Sequence, residues 1–215
     1  MYYYNKTAMD KRAFEFIYGC ALADAVLQRA FTGERTWITD VSEAKSYVKK
    51  YVDAILAGRF AENNDSARDS HEKMFLETSL NVCSAVNDYA QKPDSAGNFS
   101  FGNAQKLINI TIKHVYLHTY TINALGYPSV REHFRYCHCP MDSIMLQDVW
   151  ERKKHELSSD FRKAWGNEDF ELDDKTFCPC LPQRYKRFQK MIRNIIKENN
   201  GDIFPIEYDC IVWKH

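Results

Sequence analysis

Apolar positions recur at three- and four-residue steps along most of this chain, a period that predicts helices rather than strands. Phe14, Ile17, Ala21, Ala25 and Gln28 follow these steps, and Gly33 offers a stop. A second helix is expected from Ser42, read as its N-cap. Ala44, Val48, Val52 and Ile55 would line one face before Gly58, with Lys45, Lys49 and Lys50 toward water. The polar stretch Ala61 to Asp69 reads as a loop. A third helix from about Ser70 to Ala90 would then bury Phe75, Val82 and Val86.

Pro93 to Asn98 carries turn chemistry, and a fourth helix is expected over about Asn103 to Ala124. Its β-branched middle (Ile108, Ile110, Thr111, Ile112, Val115) also suits a strand, but the flanking Ala104-Gln105-Lys106-Leu107 favours helix. Apolar residues cover more than one of its faces, which places it near the centre of the fold.

After Gly126-Tyr127-Pro128 the pattern loosens. Pro140 and Asp142 introduce a helix over Ser143 to Lys154, and Phe161 to Trp165 suits a short helical piece. Two prolines make Cys178 to Pro182 non-helical. A strongly amphipathic helix follows from about Gln183 to Asn199, closed by Gly201, and the apolar tail from Pro205 to Trp213 should dock back on the body. No repeat or long linker interrupts the chain. Residues 1–215 therefore read as a single all-α domain of six to eight helices packed around the helix near 103–124.

Composition narrows the class. At 215 residues a chain buries roughly 70% of its unfolded surface, enough for a core without disulfides or metal. Hydrophobic residues make up 45% and charged ones 27%, which argues against disorder. The stretch Phe14 to Phe31 is the most apolar near the start, yet Glu15, Asp24, Gln28 and Arg29 interrupt it, so no membrane span is expected. The tyrosine-rich start lacks the pattern of a signal peptide. Seven cysteines in such a chain point to reduced thiols and a cytoplasmic setting. No cofactor is expected.

The 29 Lys and Arg equal the 29 Asp and Glu, so no global field draws in a polyanion and any phosphate site must be local. One concentration stands out. Arg184, Lys186, Arg187, Lys190, Arg193 and Lys197 lie within fourteen residues that contain no acid. Lys186, Lys190, Arg193 and Lys197 step by four, three and four, so they share a helix face, opposite Tyr185, Phe188, Ile192, Ile195 and Ile196. Such a stripe suits the phosphates of DNA or RNA. It also suits a plain solvated face, neutralised by Asp173, Asp174 and Glu198. Tyr185, between two cations, could stack on a base, although burial on the apolar face competes.

Two further sets carry chemistry. His114 and His118 stand one helical turn apart, and His133, Cys137, His138, Cys139, Cys178 and Cys180 add soft donors. Both cysteine pairs have one-residue spacing, unlike familiar zinc sites, so no metal centre is expected. Arg131 and His138, with six residues between them, resemble the pair of small helical ribonucleases of the HEPN type. That resemblance implies acid–base cleavage by His138 with Arg131 stabilising the phosphorane.

Phe101-Gly102-Asn103-Ala104-Gln105-Lys106 with Asn109, taken with His138-Cys139-Pro140-Met141-Asp142-Ser143, resembles a pattern of uncharacterised helical bacterial proteins. The same stretches are similar to helix-hairpin-helix DNA glycosylases. That similarity implies Lys106 attacking the sugar carbon and Asp142 stabilising the cationic transition state. The family's Gly-x-Gly hairpin is missing, and Asp142 equally suits the cap of a helix starting at Ser143. Three function classes follow: a nucleic-acid contact through the basic helix, a nucleic-acid-processing enzyme, or a protein-interaction module of phage or host-defence type.

Overall fold

The computed structural model describes residues 9–27, 36–93, 97–124 (backbone only for 120–124), 130–157, 182–199 and 201–213. These residues form seven α-helices and no strand: α1 (Lys11–Leu27), α2 (Ser42–Leu56), α3 (Asp65–Asn87), α4 (Phe101–Ala124), α5 (Ser143–Lys153), α6 (Gln183–Glu198) and α7 (Pro205–Val212). Short 3₁₀ turns at Thr36–Asp40 and Arg131–Phe134, which the apolar pattern did not suggest, complete them. The segments holding Phe161–Trp165, Asp173, Asp174, Cys178 and Cys180 lie outside the described residues.

The expected centre is the observed one. α4 packs on α1, α2, α3 and the 131–134 turn. Its side chains reach the other half as well, from Asn109 to Tyr185 on α6 and from Tyr116 to Glu207 on α7. Residues 107 to 113 are buried without a break. The β-branched middle stays helical because its polar members satisfy themselves locally: Thr111 Oγ1 donates to the Leu107 carbonyl at 2.7 Å. A single buried apolar cluster runs through all seven helices.

Local chemistry shifts several boundaries. Ser42 is the first residue of α2 rather than its cap; Val41 precedes it, buried and without a side-chain cap. Burial of Ile38 and Val41 sets that entry. The polar stretch expected as a loop contains the first turn of α3. Asn64 Oδ1 accepts from Ala67 N at 2.7 Å, and Arg68 pairs with Asp65 three residues back. Exposure on all sides hides that turn from an apolar-period reading. The apolar tail does dock, and as a helix: Pro205 occupies its first turn and the Glu207 carboxylate accepts from Phe204 N at 2.7 Å.

Gly58 ends α2 as expected, with a φ of +74°. Gly58 N donates to Ile55 O and Arg59 N to Ala54 O, the paired bonds of a Schellman motif. A Cβ there would lie 3.0 Å from the His133 ring, which packs against this corner and bonds through Nδ1 to the Leu56 carbonyl at 3.0 Å. The 131–134 turn is thereby anchored to the end of α2, and this fixes where Arg135 and Tyr136 emerge.

Candidate nucleic-acid interface

α6 divides as its sequence requires. Tyr185, Phe188, Gln189, Met191, Ile192, Ile195 and Ile196 are buried. Arg187, Lys190 and Lys197 are exposed, while Arg184, Lys186 and Arg193 are half-buried. Among the described residues, Lys186, Arg187, Lys190 and Lys197 form no ion pair. The nearest acid on the helix does not neutralise them, because Glu198 is held at 2.7 Å by Lys153 of α5, which also holds Glu156 at 2.8 Å.

Arg193 departs from the outward stripe. It lines a groove of about 400 Å³ where α3, the end of the 131–134 turn, α6 and the lead into α7 converge, and there Arg68, Arg135, Tyr136 and Lys197 meet an apolar wall of Ile196, Ile203, Phe204 and Pro205. The Tyr136 hydroxyl shares its one proton between the carbonyls of Asn64 (3.0 Å) and Glu62 (3.2 Å), which ties this wall to the start of α3. Arg68 pairs with Asp65 and Asp69 at 3.1 and 3.4 Å. Arg135 pairs with Glu132 and lies over the Phe204 ring.

Two guanidinium nitrogens of this groove, Arg193 Nη2 and Arg135 Nε, are fully buried and meet no acceptor among the described residues. Burial pushes the Arg193 pKa down, while Glu72 acts in the opposite sense. A guanidinium keeps its proton even so, and the result is a partly dehydrated cation with donors unspent.

Behind Arg193 lies a buried polar network. Asn109 Nδ2 donates to the Tyr185 hydroxyl at 2.8 Å, leaving the Tyr185 proton for His138 Nδ1 at 3.0 Å. This order needs His138 neutral, and burial drives its pKa well below the ordinary value, with His71 and Arg193 adding to the effect. The His71 ring stands edge-on to His138 at 5.3 Å, and His71 Nε2 shares a 2.7 Å hydrogen bond with the Tyr51 hydroxyl. Two side-chain amides grip the extended segment between the 131–134 turn and α5. Gln189 binds both backbone groups of Cys139, and Gln105 binds both of Met141.

The residues singled out for catalysis fall into different surroundings. Asp142 is the N-cap of α5, its Oδ1 accepting from Ile144 N (3.0 Å) and Met145 N (2.9 Å). Arg131 makes a two-pronged bond to Glu207, at 2.7 and 2.8 Å. His138 is 1% exposed. Lys106 is half-buried on α4, next to Gln105. The two stretches joined by sequence resemblance do meet, through Gln105 and the Met141 backbone, in a contact that holds the chain. His114 and His118 project from α4, and no group of three metal-ligating side chains forms among the described residues. Cys20, Cys83, Cys137 and Cys139 are free thiols.

Sequence reading missed Arg68 and Arg135. Each sits beside acids in a mixed-charge stretch, and only the fold brings them to Arg193. No family model, curated protein or solved structure matches the chain.

Proposed function

We propose that this protein holds the sugar–phosphate backbone of a nucleic acid along α6. The carrying observation is that Lys186, Arg187, Lys190 and Lys197 stand along one helix without ion pairs among the described residues, on a chain of zero net charge. Where total charge cancels, an uncompensated row of cations is the strongest local attraction for a polyanion. Each cation that reaches a phosphate releases condensed counterions, so affinity gains entropy and becomes salt-dependent. Among the described residues none of these cations is placed by a rigid partner, which suits backbone contact better than base reading. A cytoplasmic setting accords with this reading and with the free thiols.

Titration of fluorescent single- and double-stranded DNA and RNA across a salt series tests it. The logarithm of affinity should fall linearly with the logarithm of salt. The combined variant Lys186→Gln, Arg187→Gln, Lys190→Gln should lower that slope by about three, at roughly 0.9 per contact. Its melting temperature should hold, because Gln has nearly the helix propensity of Lys and Arg. A wild-type protein with no salt-sensitive affinity at low ionic strength overturns the reading and leaves the face to a protein partner.

A further inference from the structure

We propose that the groove between α3, α6 and the lead into α7 receives the terminal phosphate of a nucleic-acid strand lying on α6. The inference rests on the backbone-contact reading of α6 and names what lies at the end of that face.

The groove collects cations from three separate parts of the chain: Arg68, Arg135, and the Arg193 and Lys197 pair. Lys197 and Arg193 belong to α6, so the exposed row runs directly into it. What separates this place from an ordinary basic surface is the state of its donors. Arg193 Nη2 and Arg135 Nε are buried without an acceptor among the described residues. Leaving such donors unsatisfied costs stability; Tyr18, His71 and His114 also hold buried atoms without a hydrogen-bond partner among the described residues, and at this groove the two atoms belong to cations. Guanidinium groups suit phosphate above other anions, because their N–H groups fork onto paired oxygens.

The choice of a terminal phosphate follows from charge and from the number of free oxygens. An internal phosphodiester carries one charge and is flanked by sugar on both sides, so the exposed face of α6 suits it. A terminal monoester carries a charge approaching −2 and three free oxygens, with only one ester arm leading out. It can lie in the groove against Arg193 and Lys197, with Arg68 and Arg135 beside them sharing their charge with Asp65, Asp69 and Glu132. Tyr136 and Phe204 supply an apolar rim against which the last sugar and base can rest.

The test compares oligonucleotides of one sequence bearing a 5′-phosphate, a 3′-phosphate or neither, with inorganic phosphate and a mononucleotide as separate arms. One phosphorylated form should bind the full-length protein at least about tenfold tighter than the unphosphorylated strand, the size of one good charge-assisted contact. Arg193→Met should abolish that preference and also raise the melting temperature, because it removes a cation with a buried, unpartnered nitrogen and keeps an unbranched apolar stem. Arg135→Gln should reduce the preference independently. The triple Gln variant on α6 should weaken all strands while preserving the preference. Equal binding of phosphorylated and plain strands overturns the proposal while leaving the α6 reading intact. So does a lower melting temperature for Arg193→Met together with an unchanged preference. If no strand binds but inorganic phosphate or the mononucleotide does, lost in Arg193→Met, the strand-end assignment fails along with the α6 reading.

Discussion

Gln189 of α6 is bonded to both backbone groups of Cys139: it accepts from the Cys139 amide at 3.1 Å and donates to its carbonyl at 2.8 Å. A side-chain amide has one acceptor and two donors in a plane, so it can stand in for the neighbouring strand that an extended, buried segment otherwise lacks. Gln105 of α4 does the same for Met141, with its Nε2 donating to the Met141 carbonyl at 3.1 Å. Cys137 to Asp142 are all buried, and these two amides explain how non-helical backbone is tolerated there. The arrangement also holds His138 behind the basic groove.

Gln189→Leu keeps the volume and removes both bonds. Each Cys139 backbone group would be left buried and unpaired, at about 1–3 kcal/mol apiece. Urea denaturation should therefore show a loss of about 2–6 kcal/mol with an unchanged m-value. A loss below about 1 kcal/mol would mean that the segment finds other partners, and that Gln189 is replaceable.

Arg131 is expected to act on stability rather than on nucleic acid. Its fork meets Glu207, its Nη2 also donates to the Asp202 carbonyl at 2.7 Å, and its guanidinium lies 4.2 Å from the Phe204 ring centre. Lysine keeps the charge but cannot form the fork. Arg131→Lys should lower stability by about 1–2 kcal/mol, the range of charge-assisted bonds in a half-exposed site. Affinity for an unphosphorylated oligonucleotide should not change. Unchanged stability with altered affinity, or RNA cleavage that the variant loses, would place Arg131 at a reacting phosphate instead.

Acid should weaken the fold. Burial holds the His71 pKa down to about 3, with Arg193 contributing, and His138 shifts in the same direction. A histidine depressed in the folded state supports folding above its unfolded value near 6.5, and that support is lost as the pH falls toward the folded value. At pH 5 the cost from His71 alone is about 2 kcal/mol. Asp209, fully buried with Lys113 Nζ at 2.9 Å, has its pKa raised to about 6 by burial, which Lys113 partly offsets. Its contribution has the opposite sign: it favours the fold below the unfolded value and fades as the pH rises to about 6. Denaturation at pH 7, 6, 5 and 4 should show stability falling with acid. In Asp209→Asn, less stable overall because Lys113 loses its partner, the fall between pH 6 and 4 should be steeper. Stability that rises from pH 7 to 5 would show that the two histidines are not held neutral.

The apolar period alone determined that this chain is helical and that α4 lies at its centre, because burial on several faces is written into consecutive residues 107 to 113. It also determined the amphipathic division of α6, since a helix with one continuous apolar face opposite a row of cations can dock in one way only. Capping was legible at Asp142, where a short polar side chain precedes an apolar run. It was not legible at Val41, where tertiary burial overrides capping chemistry, nor at Asn64, whose helix begins in water. Which polar residues point inward was decided only by packing. Gln105, Asn109 and Gln189 look like ordinary surface amides in the chain, and their partners lie 36, 76 and 50 residues away. The groove belongs to the same class. Arg68 and Arg135 are unremarkable in sequence and Arg193 reads there as one of an outward stripe; a charge becomes a site only when the fold brings it beside others and takes the water away.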